Sequence, residues 1–132
     1  MNPYHALDRL FQLFADDDVI VCGDGSACVI TNQVATIRGT QRVFTNSGSA
    51  SMGYDLPAAI GAAVARGGGR VVCLAGDGSV QLNLQELQTV AHHRLPITLF
   101  VLNNGGYLSM RGSQHGAFGR LVGADATSGI SF

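Results

Sequence analysis

The chain has 132 residues, 46% hydrophobic and only 13% charged, with 18 glycines and a formal net charge of -1. That length fits one domain with a modest core. The balanced, sparse charge excludes a polyanion or nucleic-acid binder, which would cluster Lys and Arg, and no apolar run approaches the length of a membrane span. The mean hydropathy of +0.23 is apolar for a small free-standing domain, so part of its surface is expected to face a partner.

In chain order, Asn2 and Pro3 open a helix whose apolar face is Leu7, Leu10, Phe11 and Phe14, broken at Asp16, Asp17 and Asp18. Residues 1–14 lack the charged start and apolar centre of a signal peptide. Residues 19–22 read as a buried strand ending at Gly23-Asp24-Gly25, followed by a short helix over 27–35 and a second strand over 42–45. The Gly-, Ser- and Ala-rich stretch 46–53 is too small-chained for core and reads as a loop where a ligand approaches. Asp55 is a candidate N-cap and Pro57 fits a first helical turn. That helix runs to Ala65 and stops at Gly67-Gly68-Gly69. Its small residues suit close packing, either on its own sheet or at a subunit interface.

Residues 71–75 and 97–102 are apolar runs with Leu84, Leu87, Val90 and Ala91 between them at helical spacing. Strand, helix and strand in this order form a right-handed crossover, so both strand exits lie at one sheet edge. That brings Asp77 of Gly76-Asp77-Gly78-Ser79 beside Asn104 of Asn103-Asn104, where open α/β sheets bind ligands. A carboxylate, an amide oxygen and glycine amides together suit a magnesium ion carrying a diphosphate. After Leu102 the chain is glycine-rich, with one or two helical turns expected over 108–114 and an irregular tail over 116–132. Four parallel strands alternating with helices make one doubly wound α/β sheet, incomplete on one side.

The cysteines, Cys22, Cys28 and Cys73, are odd in number, which predicts buried reduced thiols and a cytoplasmic location. His5, His92, His93 and His115 lack metal-ligand spacing, and His92 and His93 read as surface residues near a helix end. A dinucleotide-binding reading fails because residues 23–28 end in cysteine, not glycine, and no ribose-binding acid follows.

Gly-Asp-Gly, two dozen residues and Asn-Asn, with the upstream run from Ser47 to Gly61, resemble thiamine-diphosphate-dependent enzymes of the acetolactate synthase type. The likeness covers most of residues 2–114 and implies the cofactor-diphosphate domain of that fold. It implies thiamine diphosphate and Mg2+ as cofactors, with Asp77, Asn104 and the Gly106 carbonyl on the metal. Gly76, Gly78 and Ser79 would meet the diphosphate, with Gly25 and Ser26 on the other diphosphate loop. Met52 would wedge beneath the cofactor and the Ala50 carbonyl would accept from its pyrimidine amino group. Tyr107 would lie towards the cofactor and substrate, as would Ser109, Met110, Arg111 and Gln114. For Arg111 an ordinary surface role competes with recognition of a substrate carboxylate. Asp24 reads as a solvated turn residue, Asn103 as a loop tie and Glu86 as helix support.

The resemblance further implies a lyase or carboligase acting on 2-oxo acids. In that family a glutamate on another domain protonates the pyrimidine ring. Nothing here matches its context, so no catalytic residue is assigned to this chain. The expected partners are the cofactor, a 2-oxo acid and either a second copy or a pyrimidine-binding domain. The competing reading is a non-catalytic binding or assembly module that keeps the fold.

Overall fold

The computed structural model describes residues 1–131. Its elements are α1 (Pro3–Leu13), β1 (Val19–Cys22), α2 (Ser26–Val34), β2 (Arg42–Thr45), α3 (Asp55–Ala65), β3 (Val71–Gly76), α4 (Asp77–Gln81), α5 (Glu86–His93), β4 (Ile97–Leu102) and α6 (Leu108–Phe118). The four strands form one sheet in the order β2-β1-β3-β4, every neighbouring pair parallel. This is the expected α/β architecture. No helix among the described residues is long and apolar enough to cross a membrane.

Alternation along the two central strands builds two cores. Ile20, Cys22, Val72 and Leu74 face α1 and α2, where they meet Leu7, Phe11, Ala27 and Ile30. Val19, Val21, Val71, Cys73 and Ala75 face the other way and pack on Ala59 and Ala63 of α3. Strands buried on both faces read as unbroken apolar runs, which is why β1 and β3 stand out in the sequence. On α3 the small residues Ala59 and Ala63 serve the chain's own sheet, while Gly61 and Val64 on the same helix stay exposed. The three cysteines are free and buried. Burial pushes the Cys22 thiol up to about 12 and raises Cys73 for the same reason.

Local chemistry sets the element ends. Asn2 caps α1, its Oδ1 accepting from the Tyr4 amide at 2.9 Å, with Pro3 in the first turn. Asp18, 2% exposed, anchors the approach to β1. It accepts from Arg70 Nε at 2.8 Å, from the Arg70 terminal nitrogen, and from the Ala15 amide at 2.8 Å. Arg70 holds its carboxyl below the usual carboxylate range.

Three expectations change. Asp55 is not an N-cap: it lies inside the first turn of α3, and it is fully buried. The single helix expected before β4 is two, α4 and α5, with Leu84 in the turn between them, and Leu84 and Leu87 are 54% and 39% exposed. Helix α5 packs against α3 and holds no fully buried residue. Finally, α6 continues through Phe118 into the expected tail, and Ala126–Ser128 form a 3-10 turn. Asp125 caps that turn in a reciprocal box with Ser128. The last tail residue, Phe132, lies outside the described residues.

Candidate functional site

The crossover from β1 to β2 and that from β3 to β4 run in opposite directions along the sheet, so their loops part between β1 and β3. This is the switch point where doubly wound sheets bind ligands. A cleft of about 480 Å3 opens there. Gly25, Ser26, Met52, Gly76, Asp77, Gly78, Ser79, Asn104, Gly106 and Tyr107 all line it. Ala50 does not. It sits in the adjoining exposed turn at φ 48, its amide donating to the Asn46 carbonyl, in a left-handed conformation rare outside glycine. Such strain, of about 1–3 kcal/mol, persists where surrounding contacts enforce it.

Asp77 is the hub of the cleft. It is 7% exposed at the junction of β3 and α4. Its Oδ2 accepts from the amides of Gly105 and Gly106, each at 2.9 Å, and its Oδ1 accepts from the Gly78 amide at 3.0 Å. The carboxylate thereby fastens the turn after β4 to the turn after β3. Gly105 and Gly106 have φ of 76 and 126, conformations an L side chain rarely adopts. Asn103 Oδ1 accepts from the same Gly105 amide at 3.0 Å, the loop tie expected of it. A carboxylate offers about four lone-pair directions, so one on Oδ1 stays open beyond these three bonds.

The outer side of that turn is held by Arg111. Its guanidinium donates to the Asn104 carbonyl at 2.9 Å and the Gly105 carbonyl at 3.3 Å, and lies 3.8 Å from the Asp125 carboxylate. Arg111 thus braces the loop, a role its position in the sequence does not announce. Gln114 closes the segment by exchanging two hydrogen bonds with Val122. Tyr107 donates its amide to the Ala124 carbonyl at 2.9 Å.

The backbone just after Met52 is pinned at Gly53. The Gly53 amide donates to Ser79 Oγ at 2.8 Å, and Asn83 Nδ2 donates to the Gly53 carbonyl at 2.6 Å. Ser79 keeps its own proton for another acceptor. Asn83 carries no sequence signal for this work, because it is an ordinary polar residue between two leucines. Gly25, at φ 68, precedes α2, whose first-turn amides are unpaired within the helix, and Gly25 and Ser26 line the cleft.

The electrostatics are one-sided. The charged side chains in the wall are Asp24 and Asp77, with no cation among them. All eight basic residues are arginines, and the nearest to this turn, Arg111, is engaged behind it. A diphosphate would be repelled by two acids unless a divalent cation came with it. The donors on offer are a carboxylate, the Asn104 amide and main-chain carbonyls, with no three-member His, Cys, Asp or Glu cluster among the described residues. Hard oxygen donors completed by phosphate and water suit magnesium.

The model for the C-terminal TPP binding domain of thiamine pyrophosphate enzymes matches residues 23–131. Acetolactate synthase 2, chloroplastic, of Zea mays is 38% identical over 104 residues, which is 79% of this chain and 16% of that protein. The acetolactate synthase of Arthrospira platensis is 44% identical over 77 residues, 58% of this chain and 13% of its own length. The acetolactate synthase large subunit of Cyanidium caldarium is 50% identical over 61 residues, 46% of this chain and 10% of its own length. The chain therefore spans only a small part of the relatives it matches. With its parallel sheet and its cleft at the switch point, this chain belongs to the family of C-terminal thiamine pyrophosphate-binding domains, of the acetolactate synthase-like kind.

Proposed function

We propose that this chain is the diphosphate-and-magnesium half of an acetolactate-synthase-like active site, in a lyase or carboligase acting on 2-oxo acids. The observation that carries this reading is the meeting of Asp77 with the 104–106 turn in a cleft whose only charged walls are acidic. In this reading Asp77 Oδ1, the Asn104 amide oxygen and the Gly106 carbonyl hold Mg2+. The amides of Gly78 and Ser79 and the α2 terminus at Gly25 and Ser26 hold the diphosphate of thiamine diphosphate. Met52 supports the middle of the cofactor, with Ala50 and Tyr107 at its edges. When bound, the cofactor supplies an electron sink that stabilises carbanions next to a carbonyl.

The chain's own residues bind and orient but hold no acid where one is needed. Glu86 is the one glutamate in the sequence. It lies on α5, accepts from Thr89 Oγ1 at 2.9 Å, and is absent from the cleft wall. The proton donor to the pyrimidine therefore comes from a pyrimidine-binding domain or a second subunit. The exposed Leu82, Leu84, Leu87, Val101 and Phe118 suit such an assembly. A cytoplasmic location belongs to the same reading, supported by the three free, buried thiols.

Calorimetric titration with thiamine diphosphate in excess Mg2+ tests this. Asp77→Ala should abolish binding and Asn104→Ala should weaken it less. Unchanged affinity in Asp77→Ala would overturn the assignment.

A further inference from the structure

We propose that Asp55 is a positioning residue of the diphosphate site: its buried carboxyl sets how closely the 23–26 loop and Ser79 approach each other. This rests on the cofactor reading above and adds a residue that contacts neither metal nor diphosphate in it. Asp55 is 0% exposed, in the first turn of α3 and three residues beyond Met52. Its Oδ1 accepts from its neighbour's amide, Leu56 N, at 2.9 Å. Its Oδ2 has no hydrogen-bond partner. A fully buried carboxyl with an orphaned oxygen costs stability, so a fold that carries one needs a reason for it.

The reason lies in what rests against it. At Gly23 an added Cβ would lie 2.8 Å from Asp55 Cγ and 2.9 Å from Asp55 Cβ, with Oδ2 closer still. Gly23 is thus glycine for want of space, and the Asp55 carboxyl is what fills that space. The Gly23 amide donates to the Leu74 carbonyl at 3.2 Å, so the start of the 23–26 loop is clamped between β3 and Asp55. The Ser79 hydroxyl also interacts with this carboxyl, while its Oγ accepts from the Gly53 amide. Segments 23–26 and 76–79 therefore meet at one side chain, and 52–53 is tied to it through Ser79. Burial raises the Asp55 pKa, and the neighbouring Asp24 raises it further. The Ser79 hydroxyl works against both by favouring the carboxylate, and asparagine reproduces the shape of the side chain.

The test uses Asp55→Asn, Asp55→Ala, Gly23→Ala and the Asp55→Ala/Gly23→Ala pair. Thermal midpoints are read without cofactor, and thiamine diphosphate affinity is read with Mg2+ well below each midpoint. Asp55→Asn should keep affinity within about threefold, and Asp55→Ala should lose about tenfold or more while still folded. Gly23→Ala should lower the midpoint sharply in the unaltered chain and far less beside Asp55→Ala, where the space is vacant. Folded Asp55→Ala with unchanged affinity, or a Gly23→Ala cost that ignores Asp55, would overturn the proposal. Should Asp55→Ala not fold, Asp55→Ser is judged by the same tenfold criterion. Failure of the unaltered chain to bind thiamine diphosphate would sink the cofactor reading itself. Normal binding with an indifferent Asp55→Ala would sink only the role of Asp55.

Discussion

Asp77 does structural work that is separable from any metal, and Asp77→Asn isolates it. The carboxylate accepts three amides, two on Oδ2 and one on Oδ1. An asparagine has one acceptor oxygen. If that oxygen serves Gly105 and Gly106, its NH2 group confronts the Gly78 amide and leaves a buried donor unpaired. An unpaired donor costs about 1–3 kcal/mol, and exchanging two charge-assisted bonds for neutral ones costs roughly 1 kcal/mol each. Relief from burying a charge offsets part of this, leaving a net loss of about 1–3 kcal/mol. For a chain of this length that lowers the thermal midpoint by roughly 5–10 °C. The assay is thermal unfolding followed by circular dichroism in chelator, with neither cofactor nor Mg2+ present. Hydrogen exchange at Gly105 and Gly106 should quicken in parallel. A midpoint equal to or above that of the unaltered chain would refute the reasoning, because Asp77 would then hold nothing together by itself.

The isolated chain should not decarboxylate pyruvate above the rate of free cofactor, and robust turnover would reveal that an acid of this chain does the work of the missing glutamate. Asp18→Asn should cost about 1–3 kcal/mol at neutral pH, since Asp18 is buried but Arg70 is half exposed. Because the Asp18 pKa is depressed on folding, its contribution is present above the unfolded value of about 4 and is lost as pH falls through the folded one. The midpoint difference between the two proteins should therefore close in acid, and a constant difference would contradict the pairing. Light scattering at micromolar concentration should give at least twice 13.7 kDa, and a clean monomer would show that the exposed apolar residues have no partner in a second copy.

The strands and the cleft were legible in the sequence because parallel strands buried on both faces leave apolar runs, and their exits carry glycine and short polar residues. Asp77 and Asn104 could be paired from topology alone, since one right-handed crossover separates them. Helix α6 was underestimated for a physical reason. Gly112 and Gly116 weaken its propensity, and what holds it are contacts from Arg111 and Gln114 to residues 122–125, invisible to a local pattern. Asp55 was misread because an acid ahead of Leu-Pro is the usual sign of a cap. Its burial depends on Gly23, thirty-two residues earlier, leaving it room. The apolar spacing over 84–91 signalled a helix, which forms from Glu86 onward, while Leu84 falls in the turn before it and stays exposed.

The central claim is that a divalent cation reconciles an acidic cleft with an anionic cofactor. Titrating the chain with thiamine diphosphate across a series of Mg2+ concentrations, ending in chelator, tests it most directly. Affinity should rise with Mg2+ and vanish in chelator, while thiamine without its diphosphate should not bind at either extreme. Equal affinity for thiamine diphosphate with and without Mg2+ would contradict the account.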